Sequence, residues 1–298
     1  MEVNPLEYIR MRREAIVDGM KYQQNIIATS KRGTHFKNLT NDDATHIIWT
    51  KSSERLDIPD ESISAVITDP PYGSNVQYGE LSHYWLVWLQ KDLDLKNSLF
   101  SLESEVLVNR KSKQKSYEDY EEGMYKIFLE AFRILKPSGV LSFTFNNKDI
   151  RSWYAVIKAA IRAGFSLEPE GVIYQDPIEN YKNTAHTRFA GTVHGDFIYT
   201  FKKQNIKSLR NAEASTVNRE GLINQIKKYL IENDTATTSE LYIICIKQLI
   251  PSMVKKAISG DVRYMGDLGD LDFNNLDRFL SQHLQYDSTN KRWNILTV

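Results

Sequence analysis

The feature that most restricts the fold is a short apolar run, residues 65–68, that passes directly into Asp69-Pro-Pro-Tyr-Gly73. A run that is apolar at successive positions is typical of a strand buried on both faces of a parallel sheet. Neither proline can donate a hydrogen bond to a neighbouring strand, so the strand must end here and leave a stiff loop. The sequence therefore predicts a loop at the carboxyl end of a sheet strand, where open α/β sheets bind their ligands.

The segments around this loop alternate between strand and helix patterns. Strands are predicted at residues 46–50, 65–68, 140–145, 171–174 and 197–201, and helices at residues 81–89, 120–135 and 151–163. This alternation predicts an α/β domain with a partial, mostly parallel, Rossmann-like sheet. We place the domain at residues 41–204, after an N-terminal helical arm at residues 1–40.

The C-terminal part of the chain has a different pattern. Helices are predicted at residues 219–232, 239–258 and 273–284, and a small hairpin at residues 286–296. Helices followed by a short hairpin suggest a winged-helix-like domain at residues 205–298. An equal alternative is a helical cap that serves packing or subunit contact.

The net charge is zero, because 38 Lys and Arg residues balance 38 Asp and Glu residues. Dedicated nucleic-acid binders are usually basic overall, so any contact with nucleic acid must come from a local patch. One candidate patch is a basic stretch without helical or strand periodicity, which contains Arg110, Lys111, Lys113 and Lys115. These side chains could hold a phosphate backbone, or they could simply belong to a solvated loop.

The single cysteine, Cys245, lies in an apolar stretch that indicates core packing. One thiol cannot form an internal disulfide, and no cluster of Cys and His has the spacing of a zinc site, so no metal is expected. Methylation of cytosine at C5 requires a cysteine nucleophile, and that chemistry is disfavoured. The sequence shows no signal peptide and no segment of membrane-spanning length, so we expect a cytoplasmic protein.

The loop after residue 68 has the groups needed to activate an exocyclic amino group. Such a nitrogen is a poor nucleophile because its lone pair is delocalised into the aromatic ring. Acceptors placed against its two N–H groups, here the carboxylate of Asp69 and the carbonyl of Pro70, would make the lone pair available, and the prolines would preorganise them. Tyr72 could stack on an extruded base. The alternative is a turn that only ends the strand.

At this point the sequence resembles a known family. The run SAVITDPPYGSNVQYGELSHYWLVWL, followed by residues 120–145 and Asn146-Asn147-Lys148, resembles the DPPY-type DNA adenine methyltransferases over residues 46 to 203. The resemblance implies a methyltransferase fold, DNA as substrate and S-adenosylmethionine as cofactor.

The resemblance also implies roles for particular residues. Asp69, Pro70, Pro71 and Tyr72 would form the base-side active site, and Asn75 and Tyr78 would shape the pocket. The family has a short polar run at the end of the strand over residues 140–145, which in this chain is Asn146 and Asn147. Together with Asp69, these two residues are the candidates for contact with the cofactor.

One motif of the family is missing. Its members hold the methionine end of the cofactor with an F-x-G-x-G loop after the first strand, but no two of the 14 glycines in this chain are separated by a single residue. Upstream of residue 46 only the helical arm is available. Three explanations compete: a second subunit carries the glycine loop, the chain is a non-catalytic paralogue, or the cofactor binds by an unusual route. We favour the first, because an intact DPPY loop has little reason to survive in a purely structural subunit.

The leading hypothesis is therefore a subunit of a DNA adenine-N6 methyltransferase in a restriction-modification or phage-defence system. Cytosine N4 is a less favoured target, because enzymes of that type more often begin the tetrad with Ser. An RNA guanine-N2 methyltransferase is the runner-up, since some tRNA enzymes also carry TDPPYG. A non-enzymatic DNA-recognition subunit is the alternative from a different class.

Overall fold

The structure is a computed structural model, and it describes residues 5–27, 30–89, 104–108, 115–147, 149–176, 195–203, 219–259 and 276–296. The chain divides into two compact units, Met1–Ile58 and Pro59–Val298. The domain boundaries predicted after residues 40 and 204 stay a prediction. None of the described helices has both the length and the apolar character needed to cross a bilayer.

The first unit contains a long helix followed by three short elements. These are α1 (Pro5–Ile27), β1 (Arg32–Gly33), α2 (Phe36–Thr40) and β2 (His46–Ile47). The strand predicted at residues 46–50 is therefore only two residues long, and it pairs in parallel with β1 instead of joining a larger sheet. Local hydrogen bonds explain the difference, because Lys31 donates its N–H to the hydroxyl of Thr45 and Trp49 donates its indole N–H to the carbonyl of Thr34.

The second unit is built on a five-stranded sheet. Its strands are β3 (Ile63–Thr68), β4 (Leu135–Phe145), β5 (Phe165–Ser166), β6 (Val172–Gln175) and β7 (Asp196–Lys203), and the helices between them are α3 (Tyr78–Leu89), α4 (Tyr117–Ile134) and α5 (Ile150–Arg162). The strand order is β3-β4-β7-β5, with β6 also paired to β7. The predicted α/β class is confirmed.

The sheet has a larger antiparallel part than the sequence predicted. Strands β3 and β4 are parallel, as expected for strands joined through helices, but β7 runs antiparallel to β4, β5 and β6. Three of the four strand pairings are therefore antiparallel, because β7 lies inside the sheet and takes part in each of the three. Strand β3 has one described neighbour and lies at the edge of the sheet.

Helices α4 and α5 start where side chains cap them. Ser116 and Asp119 form a reciprocal capping box at the start of α4. Asp149 accepts the N–H of Arg151 at 3.0 Å and caps α5, which is followed by Gly164 in a left-handed conformation (φ 108°). Both helices cover the sheet face that carries Phe143, where an aromatic core is buried.

The opposite face of β3 contradicts the expectation of a doubly buried strand. Ala65 is exposed, and 82% of the surface of Ile67 is accessible. The strand is apolar as predicted, but the described residues do not cover this face of it.

The C-terminal part contains the predicted elements in the predicted order: α6 (Arg219–Asn233), α7 (Thr238–Ser259), α8 (Leu276–His283), β8 (Leu284–Asp287) and β9 (Arg292–Ile295). Helix α7 packs against α5, where the rings of Tyr242 and Trp153 are 6.2 Å apart. Cys245 lies in this core, and burial raises the pKa of its thiol to about 12. The winged-helix assignment stays a prediction.

Candidate active site

The Asp69–Gly73 loop leaves β3 and is held by backbone and side-chain hydrogen bonds. The carbonyl of Pro71 accepts the N–H of Gly73 at 3.0 Å and the hydroxyl of Tyr120 at 2.5 Å. Tyr120 is fully buried at the start of α4, and burial raises the pKa of its hydroxyl, which therefore stays a donor. The loop is thus held by a side chain from the start of α4.

Gly73 is the position where the loop depends on glycine. Its φ is +60°, and a Cβ there would lie 2.5 Å from the hydroxyl oxygen of the buried Ser152. We expect Gly73→Ala to lower the free energy of unfolding by at least about 1–2 kcal/mol, from the left-handed conformation alone. Urea unfolding measures this change, and Gly19→Ala is the matched control because a Cβ at Gly19 meets nothing within 4 Å. Equal stability of the two variants would contradict the loop geometry.

Asp69 is oriented by the neighbouring strand. In the parallel register Thr68 lies beside Phe143, which brings Asp69 next to Thr144. The hydroxyl of Thr144 donates to Oδ1 of Asp69 at 2.6 Å, and the hydroxyl of Tyr72 donates to Oγ1 of Thr144 at 3.1 Å. One carboxylate oxygen is therefore held by the protein, and the other can accept an N–H group of a ligand. Sequence patterns did not indicate Thr144, because the contact depends on strand register.

The ring of Tyr72 packs against another aromatic ring, and its hydroxyl lies near two carboxylates. Its ring lies 5.1 Å from that of Phe145. Burial is the main cause that raises the pKa of its hydroxyl, and the carboxylates of Asp196 and Asp69 add to the effect. Tyr72 is therefore a neutral hydroxyl at physiological pH. Asp196, at the start of β7, was not singled out by the sequence.

The two asparagines after β4 are both engaged with the protein. The side-chain N–H of Asn147 donates to the carbonyl of Tyr72 at 3.1 Å, and its Oδ1 accepts the N–H of Asp149 at 2.9 Å. Asn146 donates to the carbonyl of Gly195 at 2.9 Å. In this arrangement Asn147 positions the loop and Asn146 positions the start of β7. Their predicted contact with the cofactor stays a prediction.

Asn75 and Tyr78 follow the Asp69–Gly73 loop in the chain. Oδ1 of Asn75 is 3.5 Å from the side-chain nitrogen of Asn147, at the limit of a hydrogen bond. Tyr78 begins α3 and is half exposed, and burial followed by the charges of Asp69 and Glu105 raises the pKa of its hydroxyl. Both residues are thus close to the Asp69–Gly73 loop, as the resemblance implies.

The aromatic residues of α3 are not core residues. Tyr84, Trp85 and Trp88 have exposed fractions of 71%, 64% and 73%. Aromatic residues at helical spacing more often belong to a core, but most residues of α3 are exposed in the described structure. Exposed aromatic side chains grouped on one helix are typical of a binding interface.

The predicted basic patch is only partly described. Lys115 donates one hydrogen bond to the backbone carbonyl of Glu105, and its contact with DNA stays a prediction. Arg110, Lys111 and Lys113 lie outside the described residues, and their contact with DNA stays a prediction.

The described residues do not form a complete site for S-adenosylmethionine. The side chains of Asn146 and Asn147, predicted to contact it, are bonded to the protein, and the neighbouring surface of β3 is an open edge with Ile67 exposed. In the bonds made by the described residues, Asn146 uses only its side-chain N–H and Asp69 only its Oδ1, so each keeps one oxygen that could accept from a ligand. Two such acceptors are too few to hold a nucleoside and an amino-acid group together. This agrees with the absence of a glycine loop from the sequence.

The sequence matches a family model described as DNA methylase, N6_N4_Mtase, over residues 63–293. No curated protein matches it significantly. Two solved structures of a protein from Thermus thermophilus, designated a DNA modification methylase by assignment only, match with 15% and 14% identity and TM-scores of 0.28 and 0.26. The matches cover 50% and 59% of this chain and 47% and 58% of those chains, so this chain spans about half of their length. With TM-scores this low, they support no argument about this chain.

Proposed function

The chain belongs to the DNA methylase family N6_N4_Mtase, and from this we propose that it is the base-binding subunit of an S-adenosylmethionine-dependent methyltransferase acting on adenine N6 in DNA. The observation that carries the proposal is the Asp69 carboxylate, which is held by Thr144 at 2.6 Å at the carboxyl end of β3. A carboxylate at this edge of an α/β sheet is placed to meet a ligand. When bound, the cofactor would supply a methyl group as a cation equivalent and keep the C–S electron pair.

The chain would activate the amino group by accepting hydrogen bonds from its two N–H groups. Asp69 would accept one through the oxygen that Thr144 does not bind. The carbonyl of Pro70 would accept the other, since none of the described residues donates to it. Because both acceptors are fixed before the base arrives, little reorganisation is needed when charge develops on the nitrogen.

Adenine is favoured over the other amino substrates by the first residue of the tetrad. Asp69 is an anion, whereas enzymes of cytosine N4 more often have Ser at this position. RNA guanine N2 is the alternative, and a non-catalytic DNA-recognition subunit is the alternative outside the enzymes. Labelled methyl transfer to DNA and to tRNA, followed by nucleoside analysis, tests them together. Label in N6-methyladenine supports the proposal, and label in N4-methylcytosine, in N2-methylguanine or in neither substrate contradicts it.

We further propose that a second subunit supplies the cofactor pocket. Two observations support this: no glycine pair in the chain has F-x-G-x-G spacing, and β3 lies at the edge of the described sheet with Ile67 exposed. Unpaired strand edges invite pairing with another chain. A restriction-modification or phage-defence system is the setting in which such a split methyltransferase would act.

Tyr72 should bind the extruded base through its ring. We expect Tyr72→Ala to weaken the binding of target DNA by the complete enzyme by about 1–3 kcal/mol, the range for stacking of a base on an aromatic ring. Tyr72→Phe keeps the ring and should retain the affinity. The fluorescence of 2-aminopurine at the target position reports both base extrusion and affinity. If Phe reduced the affinity as much as Ala, stacking would not be the role of Tyr72.

A further inference from the structure

Helix α8 has an apolar face and a polar face. The apolar face is buried in the core and consists of Leu276, Phe279 and Leu280. Arg278, Ser281 and Gln282 are exposed, and because the second and third stand three and four positions after the first, all three lie on one side of the helix. The polar face therefore presents hydrogen-bonding groups to solvent from a helix whose other face is fixed by packing.

The exposed side chains of α8 are of the types that recognise base edges in DNA. Arginine forms paired hydrogen bonds with guanine, glutamine forms them with adenine, and serine is less selective. The major groove of duplex DNA is wide enough for one α-helix, and each base pair presents a distinct pattern of donors and acceptors there. The polar face of α8 thus has the chemistry of a helix that reads this groove.

Strands β8 and β9 form a hairpin directly after α8, and a third segment pairs with it. Ala236, between α6 and α7, forms an antiparallel bridge with Trp293 of β9. The N–H of Ala236 donates to the carbonyl of Trp293 at 3.1 Å, and the N–H of Trp293 donates back at 2.7 Å. The described elements therefore follow the order helix, bridge segment, two helices and hairpin, which supports the winged-helix prediction.

Tyr242 links α8 to the catalytic sheet. It lies on α7, its hydroxyl donates to the carboxylate of Asp277 on α8, and its ring is 6.2 Å from that of Trp153 on α5. Burial raises the pKa of Tyr242 well above its ordinary value, so its hydroxyl stays a donor. Asn147 in turn bonds both to the start of α5 and to the catalytic loop. Packing through α7 and α5 therefore holds α8 in a set position relative to that loop.

The charges of α8 and the hairpin complement a phosphate backbone. Arg278 on α8 and Lys291 in the hairpin turn are exposed cations. The two carboxylates of residues 276–296 are both engaged within the chain. Asp277 accepts the hydroxyl of Tyr242, and Asp287 accepts two backbone N–H groups of the turn at 2.8 and 3.3 Å. The outward-facing charge is thus positive, whereas duplex DNA carries one negative charge about every 1.7 Å.

We propose that the segment from α6 to β9 is the part of the chain that reads the DNA sequence, with α8 in the major groove and the hairpin turn on the phosphate backbone. The inference rests on the proposed function, because it needs duplex DNA as substrate. The Asp69–Gly73 loop acts on a single extruded base, so the bases that flank the target must be read elsewhere. Arg278 contacts a base edge, and Lys291 contacts a phosphate.

The first test maps N6-methyladenine by single-molecule sequencing of DNA from cells that express the chain with its native partners. Arg278→Ala removes the side chain, and Arg278→Lys keeps the charge but loses the planar fork that makes paired bonds. Both should relax the methylated sequence at one base position and lower discrimination there about 10-fold or more. Lys126→Ala is the control, because it removes an exposed cation from α4, outside the α6–β9 segment.

The second test measures how salt changes the affinity of the complete enzyme for duplex DNA. Lys291→Ala should weaken binding to DNA with and without the methylated sequence by the same factor. The slope of log K against log salt should fall by about 0.9, the value for one phosphate contact. The methylated sequence itself should stay unchanged, because a phosphate contact carries no sequence information. Lys126→Ala should keep both the slope and the affinity.

Three results would overturn the proposal. An unchanged methylated sequence in both Arg278 variants excludes α8 as the reading helix and leaves the C-terminal segment as a helical cap. Relaxation in Arg278→Ala but not in Arg278→Lys shows that charge alone matters, so that Arg278 does not contact a base edge. An unchanged salt slope in Lys291→Ala removes the hairpin turn from the interface. An absence of N6-methyladenine in the wild-type cells would instead contradict the proposed function, and this inference with it.

Discussion

Asp69→Ala is expected to reduce methyl transfer by about 10²–10³-fold or more, the cost of removing one preorganised electrostatic group. The change removes the carboxylate that Thr144 orients toward the ligand. It should leave the fold intact, because Asp69 is exposed and exposed substitutions usually alter stability by less than about 0.5 kcal/mol.

The measurement is a single-turnover rate in the complete enzyme, together with the free energy of unfolding of the chain. Asp176→Ala provides the control, since it also removes an exposed carboxylate at the end of a strand of the same sheet. A rate near that of wild type in Asp69→Ala would remove Asp69 from the catalytic machinery. A large loss of stability would show that the effect is structural.

The second large effect concerns the cofactor. We expect the purified chain to bind S-adenosylmethionine weakly or not at all, and to gain micromolar binding in complex with a partner that carries the glycine loop. The interface should be of the obligate type, on the order of 2,000 Å² or larger. Isothermal titration of the chain and of the complex measures the difference. Micromolar binding by the verified monomer would rule out the split arrangement.

Two charge substitutions locate this interface. Ile67→Lys places a charge on the exposed edge strand, and burying it unpaired should weaken the complex by about 2 kcal/mol or more. Ile231→Lys is the matched control, because Ile231 is 72% exposed on α6, a helix that packs against α7 and β9. Equal affinity of the two variants for the partner would exclude β3 as the binding edge.

Elements defined by local pattern were predicted well from the sequence. Helix α4 (Tyr117–Ile134) was predicted at residues 120–135 and α5 (Ile150–Arg162) at residues 151–163, and both predictions rest on a pattern within the segment itself. The Asp69–Gly73 loop was placed for the same reason, because consecutive prolines end a strand in almost any context.

The properties that depend on distant residues were not predicted. The hydroxyl of Tyr120 reaches Pro71 across 49 positions, and Thr144 reaches Asp69 across 75. Asp196 becomes part of the site only through the pairing of β7 with β4. Such contacts follow from strand order and register, which apolar periodicity does not specify.

The exposed surfaces were missed for a related reason. An apolar strand and an aromatic helix have the same sequence pattern whether their own chain or another chain covers them. The strand that contains Ile67 was therefore predicted to be buried on both faces, although the structure exposes Ile67, as it exposes Trp85 on α3. That these errors fall at the sheet edge and on α3 agrees with an interface there.

Nucleoside mass spectrometry of cellular DNA tests the central claim most directly. It is applied to DNA from cells that express the chain with its native partners, either as wild type or as Asp69→Ala, so that any required subunit is present. The account predicts N6-methyladenine in the wild-type DNA and its loss in Asp69→Ala. N6-methyladenine that is equal in both strains, or a loss of N4-methylcytosine in its place, would contradict it.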